Sequence, residues 1–554
     1  MRGKIARVVL TAVGAAALGG ALVAQQAPAQ VTPQELAQGL PADGSRWPVF
    51  GGNYSNHRHS PLTQITPENV TRLVPQWTFQ TETVGRGFET TPLLRDNVLY
   101  ATGLLNTAWA IDARTGRTIW RYKRELPPEG TLTACCGLVN RGFGMLGDKL
   151  FMVTLDAHVI ALDMKTGAVV WDATMENYKN GYASTLAPLV VKDKVIVGIA
   201  GGEFGIRGFI DAYDAQTGKR AWRTYTIPGP GEPGNETWAG DSWQRGGAGV
   251  WVTGAHDPEQ NLVFFGTGNP GPDYHSESRK GDNLWSDSLL ALDVDTGKMR
   301  WGYQFTPHDI HDWDATHVPI LADLTIGGQP RKVVMVANRN GFFYTLDRTT
   351  GKVITAKPFV QTTWAKEIAA DGRPVVLPGH VPDEKGSTTC PDITGGTNFY
   401  PPSFDPKQGL FFVNAREVCM TYYAWKPEYT PGERFTGGAG QRPKGPEFTA
   451  TGAIRAIDPV TAERKWEFPL ITPATTGVLS TASGLLFAGD AEGNLLALDS
   501  RSGKLLWRYQ MGANLHGTSP ITYMLDGRQH LLVPSGTTLT AWALSEVPRV
   551  PSTR

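Results

Sequence analysis

One short phrase recurs along this chain and constrains the fold more than any other feature of the sequence. Each copy places an apolar pair before an Asp, passes through a turn that usually reads Asp-x-x-Thr-Gly, and in most cases ends on Trp. Asp can bond its own backbone in such a turn and Gly can supply a positive φ, so each copy predicts a strand, a tight turn and a second strand. The copies are AIDARTGRTIW (residues 110–120), ALDMKTGAVVW (161–171), AYDAQTGKRAW (212–222), ALDVDTGKMRW (291–301), TLDRTTGKVIT (345–355), AIDPVTAERKW (456–466) and ALDSRSGKLLW (497–507).

The spacing of the copies indicates the size of the repeating unit. The turn aspartates stand at positions 112, 163, 214, 293, 347, 458 and 499, so successive copies lie 51, 51, 79, 54, 111 and 41 residues apart. A strand-turn-strand unit with a period of roughly 40–55 residues is typical of β-propeller blades. The gap of 111 residues predicts a degenerate copy near SFDPKQGLFFV (residues 403–413). We therefore expect an all-β, eight-bladed β-propeller that spans residues 30–554 as a single domain; an open solenoid or two sandwiches is the alternative.

The N-terminal segment predicts export. Residues 1–29 combine early basic residues with a short Gly/Ala-rich apolar run, and Ala-Pro-Ala then precedes a cleavage point between Ala29 and Gln30, as in a signal peptide. No later stretch approaches 18 apolar residues, so we expect no membrane span. The charge is balanced, with 52 basic and 52 acidic residues, which gives no indication of nucleic-acid binding. An exported chain can also keep disulfides.

The repeat, with Trp eight residues after Asp, resembles the tryptophan-docking repeat of the quinoprotein alcohol dehydrogenases. Members of that family are eight-bladed propellers that hold pyrroloquinoline quinone (PQQ) and a metal ion on the central axis. The resemblance runs from about Trp47 to Trp542. Outer-membrane assembly scaffolds carry related repeats and bind no cofactor, so the function must be argued from other residues.

Two adjacent cysteines, Cys135 and Cys136, make up half of the cysteine in the chain. They are either neighbouring buried thiols or, after export, a disulfide within a strained eight-membered ring. The segment CCGLVNRG (residues 135–142) matches the family, and the resemblance implies a vicinal disulfide stacked on one face of PQQ, with Arg141 at the carboxylate side of the quinone. It also implies that Trp251, eighteen residues before Asn269, stacks on the other face; a Trp that only packs between blades is the alternative.

Oxygen donors suggest a hard cation. Glu203 lies in the Gly-rich segment VGIAGGEFGIRG (residues 197–208) and Asn269 in GTGNP (266–270); a carboxylate and an amide oxygen suit Ca²⁺. Alone, Glu203 would be an ordinary solvated loop acid. The family resemblance implies that both residues bind the metal.

The segment TPHDIHDWDATH (residues 306–317) holds three Asp and three His, which by itself is compatible with a zinc site. The resemblance instead implies that Asp312 is the catalytic base, kept ionised by the adjacent metal and an Arg, and able to accept the hydroxyl proton. Lanthanide-dependent relatives carry an Asp at the position of Asp314, whereas calcium-type methanol dehydrogenases carry a small residue. Glucose-type quinoproteins share the Asp-x-Asp spacing, and Asp314 could also be a hydrogen-bonded loop acid, so Ca²⁺ and a lanthanide both stay open.

Further site residues follow from the resemblance. Arg339, in ANRNGFFYTLDR (residues 337–348), would stabilise negative charge that develops on the quinone oxygens. The weaker correspondences are polar or backbone contacts to PQQ: Glu89, Thr185, Gly201, Gly202 and Asn398.

The remaining cysteines, Cys390 and Cys419, are expected to form a structural disulfide. No C-x-x-C-H sequence is present, so covalent haem is not expected and the resemblance implies a soluble cytochrome c as electron acceptor. Family members often carry another Trp in the segment aligned with TTGVLSTASG (residues 475–484), where this chain has none, which predicts a wider or differently shaped substrate pocket.

These patterns predict a periplasmic PQQ- and metal-dependent dehydrogenase that oxidises alcohols to aldehydes and passes electrons to a cytochrome c. A sugar- or polyol-oxidising quinoprotein and a non-catalytic secreted propeller scaffold are the alternatives. The oligomeric state is open, with a homodimer among the choices.

Overall fold

The computed structural model describes residues 30–81, 87–473, 475–517 and 519–546; the predicted signal peptide lies outside them. Strands dominate this part of the chain, as predicted. The one α-helix among the described residues is Pro33–Gln38, whose first turn is capped by the Thr32 hydroxyl accepting from the Glu35 N–H at 3.1 Å. The described 3-10 turns are Val70–Arg72, Leu104–Asn106, Glu129–Thr131, Tyr178–Asn180, Gly202–Phe204, Asn235–Thr237, Ser242–Arg245, Ser276–Arg279 and Pro446–Phe448.

Eight sheets of four or five strands, together with two smaller sheets, make up the described strands. We number the eight larger ones sheet 1 to sheet 8 along the chain. Sheet 1 is Leu93–Arg95, Val98–Thr102, Thr107–Asp112 and Thr118–Lys123; sheet 2 is Gly144–Leu146, Lys149–Val153, His158–Asp163 and Val169–Thr174; sheet 3 is Leu189–Val191, Lys194–Gly198, Phe209–Asp214 and Arg220–Tyr225; sheet 4 is Ala255–Asp257, Leu262–Gly266, Ser288–Asp293 and Met299–Gln304. Sheet 5 is Ile320–Ile326, Gln329–Ala337, Phe342–Asp347 and Val353–Pro358; sheet 6 is Ser403–Asp405, Leu410–Glu417, Thr451–Asp458 and Glu463–Leu470; sheet 7 is His59–Ser60, Leu479–Thr481, Leu485–Gly489, Asn494–Asp499 and Leu505–Gln510; sheet 8 is Ile521–Leu525, Arg528–Ser535, Thr538–Leu544 and Leu73–Gln80.

Each repeat forms the last two strands of one sheet, and its Trp and Gly contact neighbouring sheets. The Trp Nε1–H of one sheet donates to the carbonyl just after the turn Asp of the next sheet, as from Trp171 to Ala215 at 3.1 Å. The turn Gly beside that carbonyl has a positive φ, and a Cβ added to Gly218 would lie 2.8 Å from the Trp171 ring. The other donor–acceptor pairs of this kind are Trp77–Ala113, Trp120–Met164, Trp222–Val294, Trp301–Arg348 and Trp466–Ser500.

The junction between sheets 5 and 6 departs from this rule on both sides. Thr355 stands where other sheets have the Trp, and Ala462 stands where the next turn has Gly. The carbonyl after the turn Asp, that of Pro459, instead accepts from the Thr345 hydroxyl at 2.6 Å. The hydrogen bond between the sheets is therefore kept with a different donor.

Sheet 8 combines one strand from the N-terminal part of the described chain with three strands from its C-terminal part. Leu73–Gln80 pairs antiparallel with Thr538–Leu544, and Trp77 lies on this N-terminal strand. Its third and fourth strands are consequently not joined by any turn.

The degenerate repeat predicted at residues 403–413 is wrong. Ser403–Asp405 and Leu410–Glu417 are the first two strands of sheet 6, whose last two strands carry the copy at residues 456–466. The gap of 111 residues is instead filled by long connections. These contain the two small sheets, Ala365–Ile368 with Pro374–Val376, and Ser387–Thr389 with Met420–Ala424 and Gly438–Gln441.

Candidate active site

All fourteen predicted site residues line one cavity of about 240 Å³. Loops that precede, connect or interrupt the large sheets supply them, so positions from residue 89 to residue 398 meet in one place. The same cavity is lined by further residues that the sequence did not single out: Ala134, Val139, Ala200, Gly249, Ile393, Thr394, Phe399, Tyr400 and His516.

Both predicted disulfides are present. Cys135 and Cys136 are bonded to each other and border the cavity. Cys390 is bonded to Cys419, and this bond joins two long connections beside the cavity-lining residues 393–400. No free cysteine remains in the chain.

Trp251 forms part of the cavity wall. Its Nε1–H donates to Asp314 Oδ2 at 3.2 Å, and its ring meets Phe399 edge-on with centroids 5.5 Å apart. The Arg141 guanidinium lies 4.9 Å from the Trp251 ring centroid and 4.4 Å from that of Phe399. These contacts hold the indole in a defined orientation.

One end of the cavity is built around Arg141. Its Nη2 forms an ion pair with Glu89 Oε2 at 2.8 Å, and its Nη1 donates to the Thr185 hydroxyl at 2.6 Å. His516 lies beyond Glu89, with Nε2 3.6 Å from Glu89 Oε1 and Nδ1 2.9 Å from the Thr475 hydroxyl. His516 belongs to no repeat or motif, so nothing in its local sequence marked it.

A second group of cavity contacts centres on Arg339 and two acids. Arg339 Nη2 lies 3.1 Å from Asp314 Oδ2, while its Nη1 donates to the Asp312 carbonyl at 2.8 Å and lies 3.5 Å from Asp312 Oδ1. Asp314 Oδ1 also accepts from the Asn269 backbone N–H at 2.8 Å, and Arg339 Nη2 donates to Asn398 Oδ1 at 3.2 Å. Asp314 is therefore held on several sides, whereas the Asp312 carboxylate has looser contacts.

Burial and like charges dominate the electrostatics of these acids. Burial, followed by the neighbouring carboxylates of Asp273 and Asp314, raises the pKa of Asp312 well above its usual value, although Arg339 opposes this. Burial raises the pKa of Asp314 and, with Asp314 nearby, that of Glu203. The expectation that an adjacent metal and an Arg together keep Asp312 ionised stays a prediction; within the protein alone, Arg339 does not offset this crowding of acids.

The donor set fits a hard cation. Glu203 lies on the 3-10 turn Gly202–Phe204, and Gly202 leaves space towards Asn269 Oδ1, which would be 3.5 Å from an added Cβ. The groups near Arg339 are carboxylate and amide oxygens. A cation with several positive charges would offset the repulsion between the carboxylates. Among the described residues, these carboxylates do not bring three oxygens within 4.8 Å of one another; they surround the space rather than close it.

A further buried acid, Asp273, was not singled out by the sequence analysis. It lies four residues after Asn269, is 1% exposed, and its carboxylate oxygens accept no well-formed hydrogen bond from the described residues. The one indication in the sequence was that this acid lies close to the candidate ligand Asn269. Its neighbour Arg279 is fully buried and donates to the Asp273 carbonyl at 2.9 Å.

Comparison with known proteins agrees with this geometry. Residues 47–376 and 447–531 match the family described as "PQQ: Glucose/ethanol/alcohol dehydrogenase, beta-propeller domain". The chain is 41% identical to quinohemoprotein alcohol dehydrogenase ADH IIB of Pseudomonas putida, over 89% of this chain and 74% of the relative. It is 38% identical to a lanthanide-dependent methanol dehydrogenase of Methylacidiphilum fumariolicum, over 90% and 85%. A solved europium-containing methanol dehydrogenase superposes with a TM-score of 0.87 at 35% identity, over 92% of this chain and 100% of that one.

The matched family covers more than half of the chain, and the relatives are similar over most of their own length. This chain therefore belongs to the PQQ-dependent alcohol dehydrogenase family.

Proposed function

We propose that this protein is a periplasmic dehydrogenase that uses PQQ and a metal ion to oxidise alcohols to aldehydes. The observation that carries the proposal is the single cavity in which the vicinal disulfide, Trp251, the buried oxygen donors and the Asp312–Arg339 pair meet. A non-catalytic scaffold would not need this combination. In this proposal the eight large sheets are the eight blades of the propeller.

The cavity residues divide into cofactor-binding and metal-binding sets. The disulfide and Trp251 would enclose the flat faces of PQQ, while polar side chains would contact its edge: Glu89, Arg141, Thr185, Arg339 and Asn398, with backbone from Gly201 and Gly202. The metal would be held by Glu203, Asn269, Asp312 and Asp314, and either Ca²⁺ or a lanthanide suits oxygen donors. When bound, PQQ supplies the two-electron acceptor.

In the chemical step, Asp312 takes the proton from the substrate hydroxyl. Its carboxylate is the less restrained of the two acids at Arg339, so it can turn towards a hydroxyl placed in the cavity. A cation at Glu203 and Asn269 would lower the pKa of Asp312 by offsetting the neighbouring negative charges. Arg339 stabilises negative charge that develops beside it.

Electron acceptor, location and assembly extend this proposal. The chain contains no C-x-x-C-H sequence, so electrons would leave to a separate acceptor, and a soluble cytochrome c is our choice. The N-terminal sequence favours export to the periplasm. Among the described residues no helix is both long and apolar enough to cross a membrane. A homodimer is compatible with the proposal.

Reconstitution tests the function directly. Metal-free apo-protein is loaded with PQQ and either Ca²⁺ or La³⁺, and dye-linked oxidation of short alcohols, polyols and sugars is followed. We expect alcohol-dependent dye reduction that requires both PQQ and the metal. Faster turnover of sugars would move the assignment to a sugar-oxidising quinoprotein, and absence of PQQ binding and of activity with every substrate would support a scaffold.

A further inference from the structure

His516 lines the cavity, and the proposed function gives it no role. It lies on the connection before the strand Ile521–Leu525, and its side chain is 15% exposed. Among the described residues that line the cavity, only Arg141, Arg339 and His516 have side chains that can carry a positive charge. The orientation of the His516 ring therefore decides what it can offer to an anionic ligand.

The backbone after His516 is fixed against two neighbouring segments. The Gly517 N–H donates to the Thr475 carbonyl at 2.6 Å. Gly517 has a φ of 69°, and a Cβ added there would lie 2.9 Å from Glu89 Cγ. A glycine at this position thus allows the close approach that brings the His516 ring beside Glu89.

The two ring nitrogens of His516 face different partners. Nδ1 lies 2.9 Å from the Thr475 hydroxyl, and Nε2 lies 3.6 Å from Glu89 Oε1. Because Nε2 faces a carboxylate, the favoured arrangement has the Thr475 hydroxyl donating to Nδ1 and the ring proton on Nε2. A distance of 3.6 Å exceeds that of a hydrogen bond, so Glu89 does not hold the Nε2–H in a short contact.

The neighbouring guanidinium is already paired within the protein. Arg141 forms an ion pair with Glu89 at 2.8 Å and donates to the Thr185 hydroxyl at 2.6 Å. Glu89 is buried, so its negative charge offsets much of the attraction that Arg141 would exert on an anion. A ligand with carboxylates, such as PQQ, would therefore gain from a further donor beside this pair, and His516 is placed to supply one.

We propose that His516 is a further cofactor-binding residue, whose Nε2–H donates to an anionic carboxylate oxygen of PQQ beside Arg141. Thr475 is a positioning residue, since it orients the imidazole through Nδ1. The inference rests on the proposed function, because it requires PQQ in this cavity. A hydrogen bond to an ionised acceptor is about twice as strong as one between neutral groups, so its loss is measurable as affinity.

The test measures PQQ binding and does not depend on turnover. Apo-protein with Ca²⁺ at a fixed concentration is titrated with PQQ, and quenching of tryptophan fluorescence gives the dissociation constant. His516→Leu, which has no donor, should weaken PQQ binding about tenfold. His516→Gln keeps a side-chain N–H donor and should lose less, whereas His516→Glu places another acid beside the ligand and should lose more.

A double-variant comparison tests the role of Thr475. Thr475→Val should weaken PQQ binding by less than His516→Leu, because it only releases the ring. In the His516→Leu background the same change should have no further effect, since contacting residues that act through one another are not additive. Full additivity of the two changes would remove Thr475 from the proposal.

His59 provides a matched control. Its Nδ1 lies 2.8 Å from the Ser480 hydroxyl and 4.0 Å from Asp405 Oδ2, its side chain is 13% exposed, and it does not line the cavity. His59→Leu therefore removes a similar imidazole–hydroxyl pair outside the site and should leave the dissociation constant of PQQ unchanged.

Thermal unfolding establishes which variants are folded, and the Gln and Glu variants serve if His516→Leu is not. Unchanged PQQ affinity in the folded His516 variants, or an equal loss in His59→Leu, would overturn the inference. Failure of wild type to bind PQQ would instead overturn the proposed function, and the wild-type titration alone reveals it.

Discussion

At the scale of single residues, Arg339 contacts two acids that are held differently. Asp314 pairs with Arg339 and accepts hydrogen bonds from Trp251 and the Asn269 backbone, so its carboxylate is held on several sides. Asp312 is approached mainly through its own carbonyl, which leaves its carboxylate available to a substrate. This asymmetry supports the proposed role of Asp312 as the base.

We therefore expect Asp312→Asn to abolish most turnover without loss of the cofactor. An amide cannot accept the hydroxyl proton, and general-base catalysis is worth about 10²–10⁴-fold in rate. Steady-state kinetics of the reconstituted variant give the loss, and absorbance gives the PQQ content. A variant that turns over near the wild-type rate would remove Asp312 from the mechanism.

His317 predicts a specific acid sensitivity. Its ring nitrogens form no hydrogen bond with the described residues, and burial, followed by Arg339, lowers its pKa from 6.5 to about 3. Below pH 6.5 the unfolded chain binds a proton that the folded protein refuses, so the free energy of unfolding falls as the pH falls towards 3. The slope from this one ring is at most about 1.4 kcal/mol per pH unit.

His317→Gln should accordingly lose less stability than wild type between neutral and acidic pH. Urea unfolding of both proteins at pH 7 and at about pH 4.5 compares the two slopes. Parallel losses of stability would show that another group controls the acid response.

Sequence reasoning found the site where short motifs surround chemically distinctive residues, as with Cys135, Glu203 and Asp312. It missed the cavity-lining His516 and the buried Asp273 because each takes its position only through the folding of its loop. A lone His or Asp in a loop has no spacing that distinguishes it from a solvated side chain.

At the scale of elements, the contact between one sheet's Trp and the next sheet's Gly explains why both residues repeat. The junction between sheets 5 and 6 supports this interpretation. There Thr355 replaces the Trp, and the turn that would face it is the one repeat turn in which Ala462, with its Cβ, replaces Gly. The positive φ at Ala462, 54°, shows that the turn shape is kept.

Gly218→Ala should therefore destabilise the protein by more than the turn strain alone. The added Cβ would lie 2.8 Å from the Trp171 ring at a φ of 69°, and overpacking typically costs about 1–3 kcal/mol. Thermal unfolding measures the loss. Ala462→Gly is the matched control and should leave the melting temperature nearly unchanged, because no Trp faces that turn. An equal drop in the melting temperature of the two variants would show that the Trp contact is unimportant.

The repeat predicted the last two strands of seven sheets because their turn chemistry lies in one short phrase. It could not predict sheet 8, in which the corresponding strands come from Leu73–Gln80 and Thr538–Leu544 and share no turn. The misplaced copy at residues 403–413 has the same origin: a turn Asp and Gly can also occur between the first two strands of a sheet.

At the scale of the whole molecule, the pairing of Leu73–Gln80 with Thr538–Leu544 joins sequence-distant parts of the fold. We expect removal of residues 538–546 to cost the protein its cooperative unfolding, because Leu73–Gln80 would lose its partner and the buried face of sheet 8 would be exposed. Calorimetry of the truncated chain provides the measurement, with deletion of residues 547–554 as the control. A single sharp transition near the wild-type temperature would contradict this.

The cavity, like sheet 8, is built from parts of the chain that are distant in sequence. Glu89 enters it shortly after Leu73–Gln80, and His516 enters it just before the other three strands of sheet 8. A polypeptide that ends before His516 would lack part of the cavity wall and also the strand that pairs with Leu73–Gln80. The wall of the cavity is therefore completed in the same part of the chain as the pairing of Leu73–Gln80 with its partner strand.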